Sequence, residues 1–90
     1  MNLERIKPTR ENLYSYLEGY PEHQLRYDLI TEHTSGIDCA DISCGVGYGT
    51  FIIGKLANSV KGYDVSSEAL EYANKNFIRD NVSFHALADL

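Results

Sequence analysis

The stretch Asp41-Ile42-Ser43-Cys44-Gly45-Val46-Gly47-Tyr48-Gly49-Thr50 sets three alternating glycines between a short apolar run and a helical one. Glycine at such a turn lets backbone approach a ligand with no Cβ in the way. The first amides of the following helix then point free N–H groups at an electron-rich partner. Asp41 stands four positions ahead of the first glycine, and Asp64 closes a second apolar run about 20 residues later. A carboxylate at Asp64 can accept hydrogen bonds from both hydroxyls of a ribose. A carboxylate at Asp41 suits a cationic group such as an α-ammonium, and sits poorly beside a pyrophosphate. The two acids and the turn therefore ask for a nucleoside ligand with a positively charged end.

Three strands and four helices must hold these residues. Glu11 to Glu18 carries Leu13, Tyr14 and Leu17 at helical spacing, and Gly19 can end it. Pro21 opens a second helix, to about residue 34, with Leu25, Leu29 and Ile30 expected on one face. Residues 37–42 read as a strand that the glycines terminate. Tyr48 to Ala57 reads as a helix with Phe51, Ile52, Ile53 and Leu56 apolar. Val60 to Val65 is the second strand. Ser66 or Ser67 caps the next helix, which carries Leu70, Tyr72, Ala73 and Phe77. Asp80-Asn81 turns the chain into a third strand, 82–86. Residues 1–10, with Pro8, read as a loose polar arm.

Strands alternating with helices of this length imply parallel pairing and right-handed crossovers. The fold class is α/β: a Rossmann-like parallel sheet of three strands with flanking helices. Residues 1–36 form an N-terminal helical segment, and 37–90 the first half of a cofactor-binding domain. Sheets of this type usually carry more strands, so the chain is expected to be a truncated front half.

The 90 residues carry a formal charge of −5, which leaves little for an extended nucleic-acid or anionic-membrane footprint. At 43% hydrophobic and 23% charged, the composition is that of a globular chain. The N-terminus lacks an apolar run of signal-peptide length, and nothing approaches a membrane span. Cys39 and Cys44, in a strand and its turn, read as free thiols, which fits a reducing, cytoplasmic compartment. His23, His33 and His85 match no metal-ligand spacing, so no metal is expected. Most of the tyrosines sit at helical spacing and read as packing residues, although Tyr48 in the glycine turn can flank a ligand.

From about residue 37 to 86 the chain resembles the class I S-adenosylmethionine-dependent methyltransferases. Asp41 to Gly47 looks like the family's first motif, and Val60 to Asp64 like the next, whose terminal acid holds the ribose. Glu22-His23-Gln24-Leu25-Arg26-Tyr27 is similar to a segment ahead of the first motif in some small-molecule methyltransferases of the "type 11" group. The resemblance implies S-adenosyl-L-methionine as cofactor and a small-molecule methyl acceptor. It implies cofactor contacts at Asp41, Ser43, Gly45, Gly47, Tyr48, Asp64, Val65 and Asp89, with Val65 against the adenine. It also places Arg26 or Tyr27 near the methionine end. Ser43 stands where the family often has glycine. Asp89 lies one place later than simple counting gives for the acid that bonds the adenine amino group.

The family's acceptor-binding groups and any general base tend to follow the fourth strand, so no catalytic residue is assigned and these residues alone are expected to be inactive. In the family's strand order the first strand would lie at a bare apolar edge here, so the chain is expected to be weakly stable alone, or to cover that edge by dimerisation or by pairing with another segment. Two alternatives remain from the residues alone. One is a nicotinamide-dependent oxidoreductase domain, against which Asp41 speaks. The other is a non-catalytic nucleoside-binding or scaffold module.

Overall fold

The computed structural model describes residues 8–90. The reading of residues 1–7 as a loose arm lies outside them. The elements are α1 (Leu13–Glu18), α2 (Pro21–Thr34), β1 (Asp38–Ile42), α3 (Tyr48–Ile53), β2 (Ser59–Asp64), α4 (Ser67–Asn76), β3 (Val82–Ala86) and a 3-10 turn, Leu87–Asp89. The strands lie in the order β1-β2-β3, all parallel. Two rows cross the sheet in register: Cys39–Val60–Val82 and Asp41–Gly62–Phe84.

The sheet side chains in the two buried clusters come from that one face. Val60 and Val82 join Ile53 and Ala57 in one buried cluster, with Cys39 and Ile30 against it. Leu13, Leu17, Phe51, Ile52 and Phe77 form a second, and Phe84 touches both. The helices thus cover one side of the sheet. On the other side Asp38, Ala40, Ile42 and Lys61 are exposed, while Tyr63 packs against the His85 ring at 5.3 Å between centroids. Among the described residues β1 is an edge strand, and Ile37 and Ile42 along it are 51% and 49% exposed.

Three local expectations fail for identifiable reasons. Leu25 and Leu29 do not face inward: they are 60% and 49% exposed, and α2 instead turns Tyr27, Ile30 and Thr31 to the protein. The side chain that meets α3 is Tyr27, against Gly49, and this close approach sets the helix's rotation. The helix starting at Tyr48 stops at Ile53, not Ala57: Gly54 is its C-cap, and the following amides of Lys55 and Leu56 turn back to Ile52 and Ile53 in i−3 bonds. Finally, the described end of the polar arm is docked. The Pro8 carbonyl accepts a bond from the Tyr72 hydroxyl at 2.7 Å. The Arg10 guanidinium bonds the Ile78 carbonyl and lies 5.5 Å from the Phe51 ring centroid.

Candidate functional site

The glycine turn takes its shape from its backbone angles. Ser43, Gly45 and Gly47 all have positive φ, at 65°, 59° and 97°. Gly47 also has no room for a side chain: a Cβ would stand 2.6 Å from that of Ala73 and 2.9 Å from the Phe84 ring. At Gly45 a Cβ would meet nothing within 4 Å, so the backbone there borders open space. Ser43 occupies the left-handed region without being glycine, a conformation that costs about 1–2 kcal/mol. This is a physical reason for glycine to be preferred at its position.

Both acids lie at the carboxyl ends of neighbouring parallel strands, next to this turn. Asp64 is fixed by two backbone amides: Gly45 donates to Oδ2 at 2.8 Å and Ser66 to Oδ1 at 2.9 Å. Those bonds, Ser66 first and then Gly45, hold its carboxyl below the usual carboxylate range. Each oxygen keeps a lone pair for a further donor. Asp41 is half-buried, and its Oδ2 accepts from the Thr50 hydroxyl at 2.6 Å. Cys44 sits between the two acids. Burial, then the charges of Asp41 and Asp64, push its thiol up to about 11, so it is a protonated wall of the turn and not a nucleophile.

Tyr48 opens α3 and joins an aromatic group contributed by α1, α2 and their link. Its ring meets those of Tyr16 and Tyr27 edge-on, at 5.7 and 5.8 Å. Its hydroxyl lies 3.3 Å from His23 Nδ1. Burial, then the neighbouring Tyr27 and Tyr16, push the Tyr48 hydroxyl up to about 12. Burial and the Asp41 charge also raise Tyr27, which ties this aromatic group to the acid. Sequence reasoning had given His23 no partner. The only available signal was its place in the segment that ends at Tyr27.

The remaining expected contacts are further out. Val65 follows Asp64 directly and is 81% exposed, an aliphatic surface beside the acid. Asp89 lies exposed in the 3-10 turn after β3, and Ser43 is exposed. A cleft of about 260 Å³ runs between α1, α2 and α3, lined by Tyr14, Asp28, Thr31, Lys55 and their neighbours. It shares no residue with the glycine turn, which is an open shelf, so cleft size does not mark the site. No group of three or more metal-ligating side chains occurs among the described residues. No helix among them is long and apolar enough to cross a membrane.

The same arrangement of strands and helices recurs in solved structures. A SAM-dependent methyltransferase from Anabaena variabilis superposes with a TM-score of 0.59 and 31% identity, over 79% of this chain and 29% of its own. The chain carries the opening strands and helices of the class I S-adenosylmethionine-dependent methyltransferase fold. An S-adenosylmethionine-dependent methyltransferase from Mesorhizobium loti matches at 0.59 and 19% identity, over 68% of this chain and 29% of its own. DhpI in complex with SAH matches at 0.54 and 22% identity, over 86% of this chain and 40% of its own. The chain therefore spans less than a third of the length of the Anabaena and Mesorhizobium proteins. No protein-family model and no curated protein matches it.

Proposed function

We propose that this chain is the cofactor-binding portion of an S-adenosylmethionine-dependent methyltransferase acting on a small molecule. The observation that carries the reading is that both acids flank the glycine turn at the carboxyl ends of neighbouring strands, with Asp64 locked by the amides of Gly45 and Ser66 and Asp41 bonded to the Thr50 hydroxyl. The residues fit the group. Gly45 leaves backbone bordering open space, Asp64 keeps acceptor capacity for ribose hydroxyls, and Asp41 offers a negative charge to the ammonium. Gly47 and Ser43 shape the loop, Tyr48 flanks the methionine end, and Val65 offers an apolar surface to the base. Asp89, exposed in the turn after β3, is assigned to the adenine amino group on the resemblance alone.

Bound there, S-adenosylmethionine supplies a methyl group on a sulfonium, open to in-line displacement by a nucleophile. This chain's own residues then act by orientation, fixing sugar and amino-acid tail so that the methyl faces the acceptor. The acceptor's proton has no assigned taker in these residues. Two free thiols support a reducing, cytoplasmic setting. The exposed edge of β1 is proposed to be covered by a second copy of the chain or by another segment.

Calorimetry with S-adenosylhomocysteine and then NAD tests the reading. Binding of the first alone is expected. Binding of NAD alone would overturn it in favour of an oxidoreductase domain, and a folded protein that takes up neither would be a scaffold.

A further inference from the structure

Two of the chain's eight lysines and arginines, Arg10 and Arg79, converge on one ring. Arg79 lies over Phe51, with its guanidinium carbon 3.9 Å from the ring centroid, and its Nε donates to the Phe51 carbonyl at 2.9 Å. Arg10 reaches the same ring from the segment ahead of α1, at 5.5 Å. One of its Nη groups donates to the carbonyl of Ile78, the residue before Arg79. Phe51 is itself buried in the cluster with Phe77. Two guanidiniums, which are weakly hydrated and stack readily on aromatic faces, are thus pinned side by side against an apolar backing.

The pinning uses little of either group. A guanidinium has five N–H donors in one plane. The bond from Nε leaves Arg79 both Nη groups, and the bond from one Nη leaves Arg10 its Nε and its other Nη. Among the described residues no carboxylate is bonded to either arginine, in a chain that has 13 acids. Glu11 and Asp80 adjoin them in sequence, and neither is bonded to them. Two like charges held together repel each other unless an anion stands between them. The free N–H edges are the donors such an anion needs.

We infer that Arg10 and Arg79 form a binding fork for a phosphate dianion, free or carried on a small molecule. Two guanidiniums match the nearly two negative charges that a phosphate monoester has at neutral pH. The tetrahedral oxygens can meet two planar forks at once, whereas a single carboxylate satisfies one. The chain's charge of −5 opposes a polyanion such as a nucleic acid or a membrane surface, which leaves a small phosphate. The fork is separate from the glycine turn: Arg79 precedes β3, at the amino end of the sheet, while Asp41 and Asp64 stand at the carboxyl ends of their strands. Nothing in this site depends on the methyltransferase reading.

Titration of the full chain with inorganic phosphate, at constant ionic strength made up with chloride, tests the fork by NMR of the arginine Nε–H signals. Phosphate is expected to move the signals of Arg10 and Arg79 along one saturation curve and to leave Arg26 in place. Glycerol 3-phosphate distinguishes the two sources: tighter binding than the inorganic ion points to an ester and equal binding to free phosphate, and both support the fork. Arg79 also holds the Phe51 carbonyl, so the variants are made at Arg10, which is exposed. Arg10→Gln should weaken phosphate at least about tenfold, the worth of a hydrogen bond to a charged group. Arg10→Lys keeps the charge but loses the planar edge, and should recover only part of that. S-adenosylhomocysteine should bind wild type and Arg10→Gln alike, so failure of the cofactor site is read separately. Signals that respond equally to chloride, an Arg26 that moves with the other two, or wild-type phosphate affinity in Arg10→Gln would overturn the fork. A single-stranded oligonucleotide that binds there more tightly than glycerol 3-phosphate would replace it with a nucleic-acid surface.

Discussion

Asp64 owes its position to the amides of Gly45 and Ser66, and this makes its ionisation matter to the fold as well as to any ligand. A carboxyl whose folded pKa is lowered adds stability that is complete above its unfolded value of about 3.9 and is lost as pH falls through the folded value. Thermal melts of the wild type and Asp64→Asn should therefore differ at neutral pH and converge in acid. Calorimetry should show the same variant weakening S-adenosylhomocysteine by roughly 10- to 100-fold, the worth of hydrogen bonds to a charged acceptor. The glycine turn gives a pair of opposite outcomes. Ser43→Gly relieves a left-handed serine and should gain up to about 1 kcal/mol in denaturant titration. Gly47→Ala forces a methyl onto Ala73 and Phe84 in addition to backbone strain, and should lose about 2–3 kcal/mol or more. The role of the glycines could be read from the sequence, because type and spacing alone imply a turn. The strain at Ser43 could not, since it depends on an angle.

At the level of elements, strands were the more legible part. Residues 82–86 and the span of α2 are found where they were expected, since Pro21 and the Asp80-Asn81 turn mark their starts. The end of α3 and the rotation of α2 were not legible. The rotation goes with a contact between distant residues, Tyr27 against Gly49, and the helix end with a glycine C-cap followed by i−3 bonds. Periodicity gave Leu25 and Leu29 the inward face, but a phenol ring needing a glycine-sized gap took precedence. The buried anchor at the end of α4 is its C-cap Phe77, fully enclosed and tilted against Phe51 at 5.6 Å. Phe77→Ala should cost about 3–5 kcal/mol. The loss should appear as a lower denaturant midpoint, with helical circular dichroism falling in the same transition.

The whole molecule is a two-layer arrangement, with helices over one face of the sheet and exposed side chains along the other and along β1. Exposed strand edges with apolar flanks tend to recruit a further strand. Sedimentation of the chain should show association that grows with concentration. Ile42→Lys, a change at a half-exposed edge position, should shift the population toward monomer without lowering the melting temperature. A monomeric wild type at high concentration would count against this. The expectation of an exposed edge came from the strand order that the resemblance drawn from two acids and three glycines implies, which no local pattern contains.

Each strand in the sheet is hydrogen-bonded to the strand that comes next in the chain. Among the described residues, no strand pairing waits for a residue much later in the chain. The layer can therefore be laid down in order as the polypeptide leaves the ribosome, one β-α-β unit at a time. Separations between partners stay near twenty residues throughout, a short loop to close by the standards of parallel sheets.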